Sequence, residues 1–102
     1  MSLKKKYLKS KQECKVTFRF PGEAAANANT VNLVGDFNNW DIYATPMKKL
    51  KSGDFTVQVN LSVNHEYKFR YLIDETDWEN DWDADGYAIT HYGNSENSVV
   101  AV

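Results

Sequence analysis

The sequence predicts an all-β protein built as an antiparallel sandwich, and three observations carry that expectation. Apolar and polar residues alternate along several short runs, the period of strands with one buried face. Turn-forming pairs punctuate those runs at spacings of roughly ten residues. No stretch of a dozen residues shows helical periodicity. With 102 residues, 42% of them hydrophobic, the chain is one domain able to close a core without staples.

The elements follow in order. Residues 1–10 are expected to be a basic N-terminal tail, with Tyr7 and Leu8 able to tack it onto a sheet, and residues 11–102 the folded domain. Cys14, Val16, Phe18 and Phe20 alternate with Lys15, Thr17 and Arg19, and Pro21-Gly22 ends that strand. A polar loop over 22–30 leads to a second strand over 31–36. The chain then turns at Asn38-Asn39-Trp40 and loops to Pro46, and Met47–Lys51 reads as a short strand. Ser52-Gly53 turns into Phe55, Val57, Val59 and Leu61, alternating with Thr56, Gln58 and Asn60. After Val63-Asn64, residues Tyr67, Phe69, Tyr71 and Ile73 share one face, with Lys68, Arg70 and Leu72 on the other. The β-branched run Ser98–Val102 suits a final strand.

Charge is small in total and uneven in place. The net charge of −2 gives no footprint for a polyanion, yet six of the twelve basic residues fall in the first fifteen positions and seven of the fourteen acids between Asp74 and Asp85. The aromatics at 67, 69 and 71 are needed by the core, so a nucleic-acid partner is not expected. Cys14 is single and lies on an inward strand face, which favours a reducing compartment and a packing role. No apolar run follows the N-terminal lysines and none approaches 18 residues, so neither a secretory signal nor a membrane span is expected, and a cytoplasmic location follows.

The candidate site is a platform of aromatic planes and polar forks. Trp40 sits on a tight corner, where asparagines tolerate left-handed backbone angles, and a large flat ring held there suits stacking on a sugar. Lys68 points out of the core and donates; Trp78 lies in the polar loop Asp77-Trp78-Glu79-Asn80-Asp81; Asn97, before the last strand, can donate and accept. The bland alternative is that both tryptophans finish a core.

Gly35-Asp36-Phe37-Asn38-Asn39-Trp40, Tyr67-Lys68-Phe69-Arg70-Tyr71, Trp78-Glu79-Asn80-Asp81 and Glu96-Asn97-Ser98-Val99-Val100 occur in that order along the chain. With these, residues 12–102 resemble carbohydrate-binding module family 48, the immunoglobulin-like early-set domains at the N-terminus of isoamylases and glycogen branching enzymes. The same domain serves as the glycogen-binding domain of the AMP-activated protein kinase β subunit. The resemblance implies that Trp40, Lys68, Trp78 and Asn97 contact α-1,4-linked glucose, as in glycogen or maltooligosaccharides, with the two indoles on successive rings. The family's glucan-threading leucine has no clear match; Tyr92 or Gly93 lies nearby, and Tyr92 joins the candidate site. Two departures stand out: Ile73–Asp77 is longer and more acidic than the glycine turn of the kinase-type module, and Trp82 replaces the proline that commonly follows the aspartate matched by Asp81.

Catalysis is not expected. Glycosidases need two carboxylates across a scissile bond, and the barrel that carries such chemistry needs about 250 residues. Asp81-Trp82-Asp83-Ala84-Asp85-Gly86 opens like a calcium loop, but Tyr92 occupies the twelfth position, so a solvated acidic loop is the expectation, with Trp82 as a core or loop anchor. His65 and His91 lack a third metal ligand, and no cofactor is expected. The reading is therefore a non-catalytic α-glucan-binding module. Its alternative is a protein-interaction or dimerisation module with a vestigial sugar site, docking on a glycan-metabolising enzyme or on itself.

Overall fold

A computed structural model describes residues 3–25, 27–90 and 95–102. The described residues form nine strands: β1 Leu3–Leu8, β2 Glu13–Phe20, β3 Val31–Gly35, β4 Lys48–Lys49, β5 Phe55–Ser62, β6 Glu66–Ile73, β7 Asp77–Glu79, β8 Gly86–Ile89 and β9 Glu96–Ala101. A one-turn 3-10 helix, Asp36–Asn38, follows β3. Two antiparallel sheets pack as an immunoglobulin-like sandwich, one in the order β1-β2-β5-β4 and the other β3-β6-β9-β8, with β7 also paired to β6. Strand β6 holds the second sheet together. It pairs with β3 along one edge, and along the other with β9 at its start and β7 at its end.

The alternating runs become core strands for the expected reason. Cys14, Val16, Phe18 and Phe20 are buried on β2 and meet the inward face of β6. Phe18 and Phe69 pack edge to face at 5.1 Å, Phe20 and Tyr71 lie 4.9 Å apart, and Phe69 and Tyr71 5.7 Å apart. Aromatic pairs in these arrangements add to what area burial alone contributes. Val57 and Val59 are only partly buried, whereas Phe55 and Leu61 at the ends of the same run are sealed.

Residues 3–8, expected as a loose tail, instead form β1, in full antiparallel register with β2 from Leu3 opposite Phe18 to Leu8 opposite Glu13. Leu3 is buried, and Lys5 pairs with Asp85 at 2.7 Å. Lysine density suggested a tail, but lysines on an edge strand keep it soluble without preventing pairing. The predicted strand at 47–51 shrinks to Lys48–Lys49, with Met47 buried beside it.

Leu72 lies on the outward face of β6, as the alternation requires, yet it is buried. Register places Asn32 beside it and Val34 beside Arg70, while Val99 pairs with Lys68. Asn32, Val34 and Val99 are buried as well. The outer face of this sheet thus carries a second, thin apolar layer separate from the sandwich core.

Candidate functional site

The corner after β3 is built by backbone chemistry that only certain residues permit. A Cβ on Gly35 would stand 2.5 Å from the Lys68 carbonyl oxygen and 2.8 Å from the Phe69 Cβ, so the glycine is there for close approach. The Asn38 side chain closes the turn. Its Oδ1 accepts from Gly35 N–H at 3.0 Å, and its Nδ2 donates to the Leu33 carbonyl and to Thr45 Oγ1. Asn39 and Trp40 both have φ of +57°, natural for asparagine and costly for a bulky residue. Trp40 is held in that state by its N–H, which donates to the Gly35 carbonyl, and by its indole Nε1–H, which donates to Asp36 Oδ1 at 2.9 Å. The other Asp36 oxygen accepts from the Lys68 backbone N–H at 2.8 Å. One carboxylate therefore ties the indole to β6. Strained backbone that is over-determined in this way is a mark of functional sites.

Trp78 reaches the same region from the opposite side. It lies opposite Leu72 in the β6–β7 register, so its side chain shares the outward face, and it is 45% exposed. The β6–β7 turn uses left-handed angles at Asp74 and Glu75, and Asp74 Oδ1 pins the loop by accepting from Asn29 and Thr30 N–H. Beyond β7, Asp81 is buried. Its Oδ2 accepts from Tyr71 OH at 2.7 Å, and its N–H donates to Ser98 Oγ, which in turn donates to Asn80 Oδ1. Burial, and then the neighbouring Asp81 charge, push the Tyr71 phenol well above its ordinary range.

Trp40, Lys68, Arg70, Trp78, Ile89, Thr90, Ser95 and Asn97 line one open cleft of about 520 Å³. The four residues singled out from sequence are thus brought together, with neither indole sealed in the core. Tyr92, the fifth, and His91 lie outside the described residues. Arg70, Ile89, Thr90 and Ser95 on the lining, and Asp36 behind it, went unassigned in the sequence. Arg70 is two residues from Lys68 on one strand face, so period-two spacing placed it in the cleft all along. It donates through Nε to Asn97 Oδ1 at 2.7 Å, which takes up one of that oxygen's two lone pairs and leaves Nδ2 to donate. Asp36 stood inside the corner motif, but nothing in its spacing reveals that it braces the indole.

The acidic stretch differs from expectation. Asp74 and Asp81 are structural pins, and Asp85 accepts from Lys5 and from Ala101 N–H. Trp82 is 59% exposed and outside the cleft, so it anchors no core; the buried residue that anchors this loop is its neighbour Asp81. Among the described residues no group of three His, Cys, Asp or Glu converges as metal ligands. None of the helices there is long and apolar enough to cross a membrane.

Residues 9–88 match the family model of carbohydrate-binding module 48, the isoamylase N-terminal domain. The chain belongs to that family, whose members are carbohydrate-binding modules. The match includes Trp40, Lys68, Arg70 and Trp78 and stops short of Asn97. The chain is also similar to the 1,4-alpha-glucan branching enzyme GlgB of Butyrivibrio fibrisolvens, with 38% identity over 64 residues. That alignment covers 63% of this chain and 10% of the enzyme.

Proposed function

We propose that the protein binds α-glucan of the glycogen or starch type, with sugar rings stacked on Trp40 and Trp78 and hydroxyls held by Lys68 and Asn97. The observation that carries this reading is the presence of both indoles on one cleft with cationic and amide donors beside them. Family membership supports the ligand class, as does the similarity to an enzyme named for 1,4-alpha-glucan. The role in this reading is binding without turnover, supported by membership of a family of carbohydrate-binding modules. A cytoplasmic setting belongs to the proposal, supported by a single, buried, unpaired cysteine.

Partial burial of two indole faces with a few solvent-exposed hydrogen bonds gives weak single-site binding, with Kd between roughly 10 µM and 1 mM, strengthened on polymer by repeated sites. Affinity electrophoresis through glycogen-containing gels tests it. The wild type is retarded, and Trp40→Ala and Trp78→Ala each lose most of the retardation. A wild type that runs unretarded, or a Trp40→Ala variant retarded equally, overturns the reading.

A further inference from the structure

The cleft carries one cation more than the neutral-sugar reading uses: Arg70 stands beside Lys68. Lys68 and Arg70 stand two residues apart on one face of β6, and no Asp or Glu is among the described residues lining the cleft. The ion pairs among the described residues are Lys5–Asp85 and Arg19–Asp54, so neither cleft cation has a carboxylate partner there. The whole chain is acidic, with net charge −2, while this cleft holds two uncompensated cations.

The hydrogen-bonding groups of the cleft lean the same way as the charge. Lysine and arginine only donate. Arg70 Nε takes one of the two lone pairs of Asn97 Oδ1, and the NH₂ of that amide is left to donate. Lys68 Nζ, the outer Arg70 nitrogens and Asn97 Nδ2 are all donors, with the hydroxyls of Thr90 and Ser95 also on the lining. A sugar hydroxyl donates as well as accepts, and is matched by mixed arrays. A lining richer in donors than in acceptors, with two cations in it, matches a group that only accepts. A phosphate monoester has three acceptor oxygens and about −1.5 to −2 charge at neutral pH, and arginine grips it with paired N–H groups.

Resting on the α-glucan reading above, we propose that the preferred ligand is an α-glucan bearing a phosphate monoester on a glucose unit. The phosphate sits between Lys68 and Arg70, and neighbouring rings stack on Trp40 and Trp78. Asn97, besides its amide's reach to the sugar, fixes the guanidinium through its carbonyl oxygen. The acidic balance of the remaining surface disfavours a long polyphosphate chain such as single-stranded nucleic acid.

The test is a set of calorimetric titrations of the full chain with maltoheptaose, with a maltooligosaccharide of the same length carrying one 6-phosphate, with inorganic phosphate, and with a short oligothymidylate. At low salt the phosphorylated sugar binds about tenfold more tightly than the neutral one, and the ratio shrinks in about 0.5 M salt because the cleft is open to screening ions. In Arg70→Gln the ratio falls to about one whatever the absolute affinities. Lys68→Gln, at an exposed position where folding is not at stake, lowers it several-fold. Equal wild-type affinities for the two sugars, with maltoheptaose binding measurable, overturn the phosphate assignment and leave the glucan reading standing. Failure of both sugars to bind overturns both. A ratio untouched by either substitution, or tighter binding of inorganic phosphate or the oligothymidylate than of the phosphorylated sugar, also overturns the proposal.

Discussion

The two indoles of the cleft share a face but are held by opposite means. Trp40 is gripped at the ring itself, its Nε1–H on Asp36, and its backbone is locked into a left-handed state by the Asn38-closed corner. Trp78 lies beside Leu72 on the outward face, 45% exposed, and the bonds that place it lie behind the ring. Its strand has three residues, and the loop beyond is fastened by the buried Tyr71–Asp81–Ser98–Asn80 network. Among the described residues no hydrogen bond reaches the Trp78 ring. One wall of the cleft is therefore fixed at the contact surface, and the other is fixed behind it. The hydrogen-bonded Trp40 plane is preorganised, which lowers the ordering cost of binding.

The contrast is broken most severely at Gly35. Gly35→Ala forces a Cβ into the Lys68 carbonyl and is expected to cost about 3 kcal/mol or more, seen as a large drop in the urea midpoint. The opposite wall is loosened by Tyr71→Phe, which strips the buried Asp81 carboxylate of its hydroxyl donor at a cost of about 1–3 kcal/mol. The same pair gives an alkaline signature. Because the folded Tyr71 phenol is raised, the unfolded chain loses its proton first. Stability is full below about pH 10 and declines above it by up to about 1.4 kcal/mol per pH unit from this group. Urea unfolding between pH 9 and 11 checks this, and Tyr71→Phe should flatten the decline. Asp36→Ala removes the brace on Trp40. It is expected to lower stability by about 1 kcal/mol and to weaken maltoheptaose binding several-fold, whereas Glu79→Ala beside Trp78 changes either by less than about 0.5 kcal/mol.

Strands were legible wherever a single alternating run faced the core, as along β2, β5 and β6. The corner at 35–40 was legible because its glycine and asparagines admit few other geometries. β1 was obscured because its lysines satisfy an edge strand and a tail equally well, and only pairing with β2 decides between them. The acid run 74–85 looked like uniform wet surface. Which carboxylates are fastened depends on donors distant in sequence: Asn29 and Thr30 for Asp74, Tyr71 for the buried Asp81, Lys5 and Ala101 for Asp85. At the cleft, alternation set Lys68 and Arg70 on one side. The bond that commits the Asn97 oxygen to Arg70 joins two strands 27 residues apart and left no trace in either segment.

Cys14, fully buried where β2 is flanked by Tyr7 of β1 and Leu61 of β5, gives the molecule a built-in clock. Its sulfur meets a reagent only when the N-terminal strand peels away or the whole sandwich opens. The rate at which an added disulfide dye reacts therefore times that opening, with no label introduced and no tryptophan of the cleft disturbed.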